Sequence, residues 1–111
     1  MKIKIKRLVQ PYFGADLELK EIEGILYEYN DLQFCICSID HSWMAIELST
    51  GYSSAFYESK RSDKHCIAEI KKGLESHSKE EYKTQIEQKS YSLHIAGFKL
   101  PINQKIEHEN N

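Results

Sequence analysis

Ile25-Leu26-Tyr27-Glu28-Tyr29-Asn30-Asp31-Leu32-Gln33-Phe34-Cys35-Ile36-Cys37-Ser38-Ile39 is the stretch that decides how this chain folds. Two runs rich in β-branched and aromatic residues flank an Asn-Asp pair, and that pair tolerates the positive φ angles of a two-residue hairpin turn. The upstream half has a competing reading. Leu19, Ile22, Leu26 and Tyr29 also recur at helical spacing, so 17–29 stands between helix and strand. Gly24 tips the balance to the hairpin, because glycine weakens a helix interior by about 1 kcal/mol.

Toward the N-terminus, Lys2, Lys4 and Lys6 alternate with Ile3 and Ile5, the period of a half-buried strand. Its lysines suit a sheet edge, where they discourage pairing with another chain. Downstream, Asp40-His41-Ser42 and Ser49-Thr50-Gly51 read as two more turns, separating strands at 43–48 and 52–57. At Ser62 the period changes to that of a helix. Ser62 is a good N-cap, Asp63 favours the first turn, and Ile67, Ile70 and Leu74 share one face, predicting a helix over 63–76. Ser78-Lys79-Glu80-Glu81 has the form of a capping box opening a second helix, with Tyr82 and Ile86 inward. Its end is open, since Tyr91, Leu93 and Ile95 fit a helix or a strand. Phe98, Leu100 and Ile102 alternate as a last strand would. Strands first and helices last predict an α+β fold: an antiparallel β-meander of four to six strands with two C-terminal helices packed on one face. The expected division is one domain over 1–103 and a polar, frayed tail over 104–111.

With 111 residues, 41% hydrophobic and 29% charged, the composition is that of one soluble domain able to hold its own core. The formal net charge of −2 excludes a generic basic nucleic-acid binder and a polybasic membrane-surface protein. No apolar run follows the basic start, and none approaches the roughly 20 residues of a membrane span. Three cysteines without secretory signals point to reduced thiols and a cytoplasmic protein. The charge is unevenly spread. Residues 1–14 carry four cations and no acid, 15–57 carry eight acids against Lys20 alone, and 58–111 carry ten cations and nine acids.

Several groups could carry chemistry. Cys35, Cys37 and Cys66 with His65 or His41 have the soft thiolate and imidazole character of a zinc site, although Cys-x-Cys is not the usual knuckle spacing and His65 and Cys66 point about 100° apart on a helix. Cys37 with His41, or Cys66 with His77, and Asp40 as orienter have the residue types of a thiol nucleophile. Glu18, Glu21, Glu23, Glu28, Asp40 and Glu47 supply carboxylates that a hydrophilic strand face explains more simply. Lys2, Lys4, Lys6 and Arg7 beside Tyr12 and Phe13 could contact nucleic acid, yet four cations make a small footprint and direct nucleic-acid binding is not expected. No glycine-rich phosphate loop, cofactor motif or catalytic signature is present. Tyr27, Tyr29, Tyr52, Tyr57, Tyr82 and Tyr91 are too many hydroxyls to bury without partners, and exposed tyrosines are common interface anchors.

Tyr27-Glu28-Tyr29 before a hairpin turn, then Ile46-Glu47-Leu48-Ser49-Thr50-Gly51, a short strand and a capped helix, resembles small phage and prophage accessory proteins of low-GC Gram-positive bacteria over residues 25–95. In place of the Lys-Glu-Ala that commonly opens the helix in that group, this chain has Asp63-Lys64-His65-Cys66. The resemblance implies a small protein that binds host machinery or defence systems and offers no catalytic residues. Joined to the acidic middle segment, it gives the functional expectation: a non-enzymatic protein-binding module without cofactor. Its partner would be a host protein, one with a basic nucleic-acid-binding groove fitting best. The expected partner-binding face is Glu18, Glu21, Glu23, Tyr27, Glu28 and Tyr29. The alternative is a small ligand- or zinc-binding regulatory domain, with homodimerisation through an open sheet edge available to either.

Overall fold

The computed structural model describes residues 1–107. Five antiparallel strands form one sheet in chain order: β1 (Lys2–Val9), β2 (Glu18–Tyr29), β3 (Leu32–Ile39), β4 (Ser42–Glu47) and β5 (Ser53–Glu58). Helices α1 (Asp63–Glu75) and α2 (Lys79–Ile95) follow. This is the expected α+β meander with C-terminal helices, and 18–29 is strand. Asn30 and Asp31 have φ of 51° and 65°, and Asp40 and His41 have 49° and 66°, the doubly positive pattern that matches the twist of a hairpin.

The long strand β2 changes partner midway. Glu18 to Ile25 pair with β1, and Ile25 to Tyr29 pair with β3. Gly24 sits at that change, where a Cβ would stand 2.4 Å from the Ile36 carbonyl oxygen and 2.6 Å from Cys35 Sγ. Without a side chain, β2 can lean onto β3 and swing away from it. The β1–β2 ribbon thereby curls over one face of the sheet, and Leu8 N donates to Gly51 O at 3.0 Å in the β4–β5 connection. Ile3 and Ile5 close over Cys35, Cys37, Met44, Ile46 and Leu48, with Ile22 and Leu26 alongside.

The other face belongs to the helices. Phe34, Ile36 and Ala45 from the sheet pack with Ile70 and Leu74 of α1 and Tyr82 of α2. Ser62 accepts from His65 N, and Ser78 accepts from Glu81 N at 3.2 Å, the N-cap bond of a capping box, while its hydroxyl meets Glu81 Oε1. The end of α2 is helical through Ile95. Gly97, at φ 92°, donates to His94 O, and Phe98 N reaches Leu93 O, the two bonds of a Schellman motif. Leu93 is fully buried, which the helical alternative required.

Residues 98–102 form no strand, contrary to the alternation of Phe98, Leu100 and Ile102. Ile102 N and Asn103 N instead donate to Ser49 O and Leu48 O, and the Asn103 amide bonds the free edge of β1 at Lys6 through both its oxygen and its nitrogen. Nor does the tail fray at Gln104. The amide of buried Gln33 donates to Ile106 O at 2.7 Å and accepts from Ile106 N at 2.8 Å, copying the exchange between two strands. Residues 108–111 of that tail lie outside the described residues. At the opposite edge, Ala45 and Ile46 pair with Ala55 and Ser53, leaving Ser54 as the extra residue of a bulge. A bulge twists an edge strand away from flat pairing, and so discourages dimerisation through β5.

Candidate functional site

The six residues expected to form one acidic, tyrosine-rich face are not brought together. Tyr27 and Tyr29 face the helices. The Tyr27 hydroxyl donates to the Glu75 carboxylate and the Tyr29 hydroxyl to Glu75 O at 3.3 Å, so both fasten the end of α1. Burial and, secondarily, the Glu75 carboxylate push Tyr27 up to about 12. Glu21 and Glu23 lie on the ribbon, opposite Lys6 and Lys4 in the β1–β2 register. Glu18 and Glu28 share the other side of β2, ten residues apart, up to about 33 Å along an unbent strand. Glu28 stands opposite Gln33 at the far end of that strand.

This pairing changes the electrostatics. The sequence separates a cationic arm from an acidic segment, but β1 and the first half of β2 are neighbours in one ladder. Residues 1–24 hold five cations and four acids. A large single-sign potential, the basis for steering toward a basic groove, requires charges that are not interleaved.

The other tyrosines are also committed to holding layers together. Tyr82 is buried and donates to Leu74 O at 2.6 Å, with Phe34 edge-on against it; burial foremost pushes its phenol up to about 12. Tyr57 meets His65 Nε2 at 3.1 Å, and Lys89 of α2 lies 4.6 Å from the Tyr52 ring centre. The surplus of tyrosine is mainly the adhesive between sheet and helices. Tyr91 is the exception in α2 and is exposed.

The zinc candidates are divided by the sheet. Cys35 and Cys37 lie under the ribbon, whereas Cys66 and His65 belong to α1 on the opposite face. The Cys66 thiol is directed to Arg61 O and His65 to Tyr57. The same separation removes the thiol nucleophile pairs. Cys37 is buried under the ribbon while His41 sits exposed in a turn, and His77 is eleven residues along from Cys66, roughly 16 Å at a helical rise, where it meets Glu81 at 2.9 Å. That contact, with hydrogen bonding from Ser78, holds the Glu81 carboxyl below its usual range. Cys35 and Cys37 act on each other: the hydrogen bond between them, and then burial, pushes Cys35 well up, and the same bond draws Cys37 down.

Glu47, the acid of the Glu-Leu-Ser-Thr-Gly stretch, is buried and organises the β4–β5 connection. Its carboxylate accepts from Ser49 N at 2.7 Å, Thr50 N at 3.0 Å, and both hydroxyls. Those donors account for its burial and leave it a structural role. The cleft of about 300 Å³ beside it, between α2 and the C-terminal segment, is lined by Gln33, Glu47 and Asn103, whose polar groups are already paired.

Met1, Phe56, Tyr91 and Ile95 are exposed elsewhere, whereas the loop joining β1 to β2 places two exposed rings side by side. Phe13 is fully exposed and Tyr12 is 72% exposed. The loop is nonetheless ordered: Ala15 N donates to Tyr12 O at 3.0 Å, Gln10 Nε2 donates to Ala15 O at 2.8 Å, and Gly14 takes φ 84°. Exposed Leu19 continues this surface down the ribbon. The sequence carries a signal here, since Pro11-Tyr12-Phe13-Gly14 puts two rings where a turn needs none, next to the basic residues of β1.

No protein-family model, curated protein or solved structure matches this chain. Among the described residues, no helix is long and apolar enough to cross a membrane.

Proposed function

We propose that this chain is a non-enzymatic protein-binding module, of the kind that small phage accessory proteins represent, and that it engages a host protein through the tip of the β1–β2 ribbon. The observation that carries the reading is the ordered, solvent-facing Tyr12–Phe13 pair. A loop whose backbone is already ordered loses less conformational freedom on binding, and burying one of its rings is worth about 2 kcal/mol. Glu18, Glu21 and Glu23 remain part of this surface, as the mixed-charge flank of the aromatic tip rather than a uniform acidic face. Tyr27, Tyr29 and Glu28 belong to the opposite half of β2. The partner this geometry favours presents an apolar cleft that accepts a hairpin tip, with polar groups around its rim.

A photo-crosslinking side chain placed at position 13, and separately at exposed Lys72 on α1, tests the proposal in host cells. One host protein is expected to crosslink from position 13 but not from 72, with the adduct lost in Tyr12→Ser. Because the ribbon's charges alternate, the adduct should survive about 1 M salt, where the Debye length is about 3 Å. Equal crosslinking from both positions, or none from 13, would refute the ribbon tip as the binding element. Loss of the adduct in salt would instead point to electrostatic steering by the acidic residues.

A further inference from the structure

At the end of β4 away from the docked ribbon, the β3–β4 turn and the segment entering α1 flank an open surface cavity of about 520 Å³. Ser38, His41, Trp43, Lys60, Arg61 and Asp63 line it. It is larger than the two clefts lined by the C-terminal segment, at about 300 and 320 Å³, and lies within the usual range for small-molecule sites.

Ser59, which also lines it, is committed to Arg61 N at 3.0 Å, but the other polar groups are open. Among the described residues, the Ser38 hydroxyl, the His41 ring, the Trp43 indole N–H, the Lys60 and Arg61 side chains and the Asp63 carboxylate make no hydrogen bond or ion pair with other side chains or backbone. Six groups without partners therefore line one hollow, five of them exposed and Trp43 half-buried. Trp43 is held from behind. It packs on the helix-side core and stays half-buried, and the part of its side chain left uncovered lines the cavity.

We propose that this cavity binds a nucleoside monophosphate. A planar base stacks on Trp43, a combination that tolerates any base because every base has a π-face. Lys60 and Arg61 take the phosphate, with the guanidinium able to hold two oxygens at once. Asp63 accepts from the ribose hydroxyls, and Ser38 and the indole N–H serve remaining acceptors. Two cations against one carboxylate suit a single phosphate better than a triphosphate. An inorganic anion alone would leave Trp43 and most of the volume unused. The site lies on the helix side of β4, separate from the ribbon tip, so the module would carry a small-molecule site besides its protein-binding surface.

Trp43 is the single tryptophan of the chain, so its fluorescence reports this cavity alone. Titration with AMP is expected to quench it saturably, with Kd below about 1 mM. Adenosine and inorganic phosphate, each holding half of the contacts, should bind at least about tenfold more weakly. The exposed loop pair Lys60→Ala/Arg61→Ala, checked for unchanged circular dichroism, should weaken AMP by a similar factor or more. A 5′-phosphorylated RNA trinucleotide distinguishes the source of the nucleotide: tighter AMP assigns a free nucleotide, tighter trinucleotide a strand end, and both support the site. Absence of saturable quenching by AMP, equal binding of adenosine, equal binding of phosphate, or an unaltered affinity in the folded loop variant would each overturn the assignment.

Discussion

Two glycine-to-alanine substitutions should move stability in opposite directions, and their difference tests the account of the curled sheet. At Gly24 an added methyl carbon meets the Ile36 carbonyl oxygen at 2.4 Å, Cys35 Sγ at 2.6 Å and Cys37 Cβ at 3.0 Å. The first and last are fixed to the backbone of β3, so no rotamer change relieves the clash, and the strands must separate where the ribbon leaves the sheet. Overpacking of this kind costs about 1–3 kcal/mol, and backbone contact places Gly24→Ala at the upper end. Its φ lies outside the left-handed region, so alanine recovers about 0.5 kcal/mol by restricting the unfolded chain. The expected net loss is about 2 kcal/mol. At Gly73 the same methyl would meet only Ala55 Cβ, at an ordinary 3.9 Å, and would replace the weakest helix former short of proline. Gly73→Ala should gain up to about 1 kcal/mol. Urea unfolding followed by circular dichroism measures both, with a constant m-value confirming that the states compared are the same. At roughly 4 °C per kcal/mol, the melting temperature should fall by about 8 °C and rise by about 4 °C. Gly24→Ala within about 0.5 kcal/mol of the parent, or shifts of the same sign at both positions, would show that β2 does not lean on β3 as described.

Tyr82→Phe removes the donor to Leu74 O inside the helix-side core and should cost about 1–3 kcal/mol in denaturant unfolding. Tyr27 and Tyr82 are raised in the folded state to about 12, so the stability tied to their neutral forms is complete below about pH 10 and lost as pH rises through about 12. Unfolding measured across that window should fall less steeply with pH in the Tyr27→Phe/Tyr82→Phe double variant; parallel curves would refute the linkage. Glu47→Ala strands the Ser49 and Thr50 donors and should cost about 3 kcal/mol, with Glu47→Gln in between, since an amide oxygen can accept from part of the set. An alanine variant as stable as the parent would show that the carboxylate does not organise the turn.

Local signals were sufficient wherever the physics is local. Asn30-Asp31 and Asp40-His41 make tight hairpins because those side chains tolerate positive φ. Ser62, Ser78 and Glu81 cap helices because the orphan N–H groups they satisfy lie within three residues. No last strand forms: alternation in Phe98, Leu100 and Ile102 says which residues are apolar, not whether a sheet edge is free. Here the edge of β1 is met by Gly51 and the side chain of Asn103. The docking of Ile106 was likewise invisible, since it depends on Gln33, 73 residues away.

The candidate surfaces show the same division more sharply. A run of acids and a run of cations were plain in the chain, as were the abundant tyrosines. Their meaning was settled by register and burial. Antiparallel pairing set Lys4 beside Glu23 and Lys6 beside Glu21, dissolving the acidic face, and α1 claimed Tyr27 and Tyr29. Nothing in the sequence placed Trp43 with Lys60, Arg61 and Asp63, because a turn and a helix entry meet there only after the sheet is built. By itself, then, the amino-acid sequence determined the order of the elements, their turns and caps, and the two-sided apolar pattern of the strands, all of which depend on neighbours a few residues apart. Tertiary structure alone decided which polar and aromatic groups were consumed in holding the layers together and which were left facing solvent, because that depends on partners brought close only by folding.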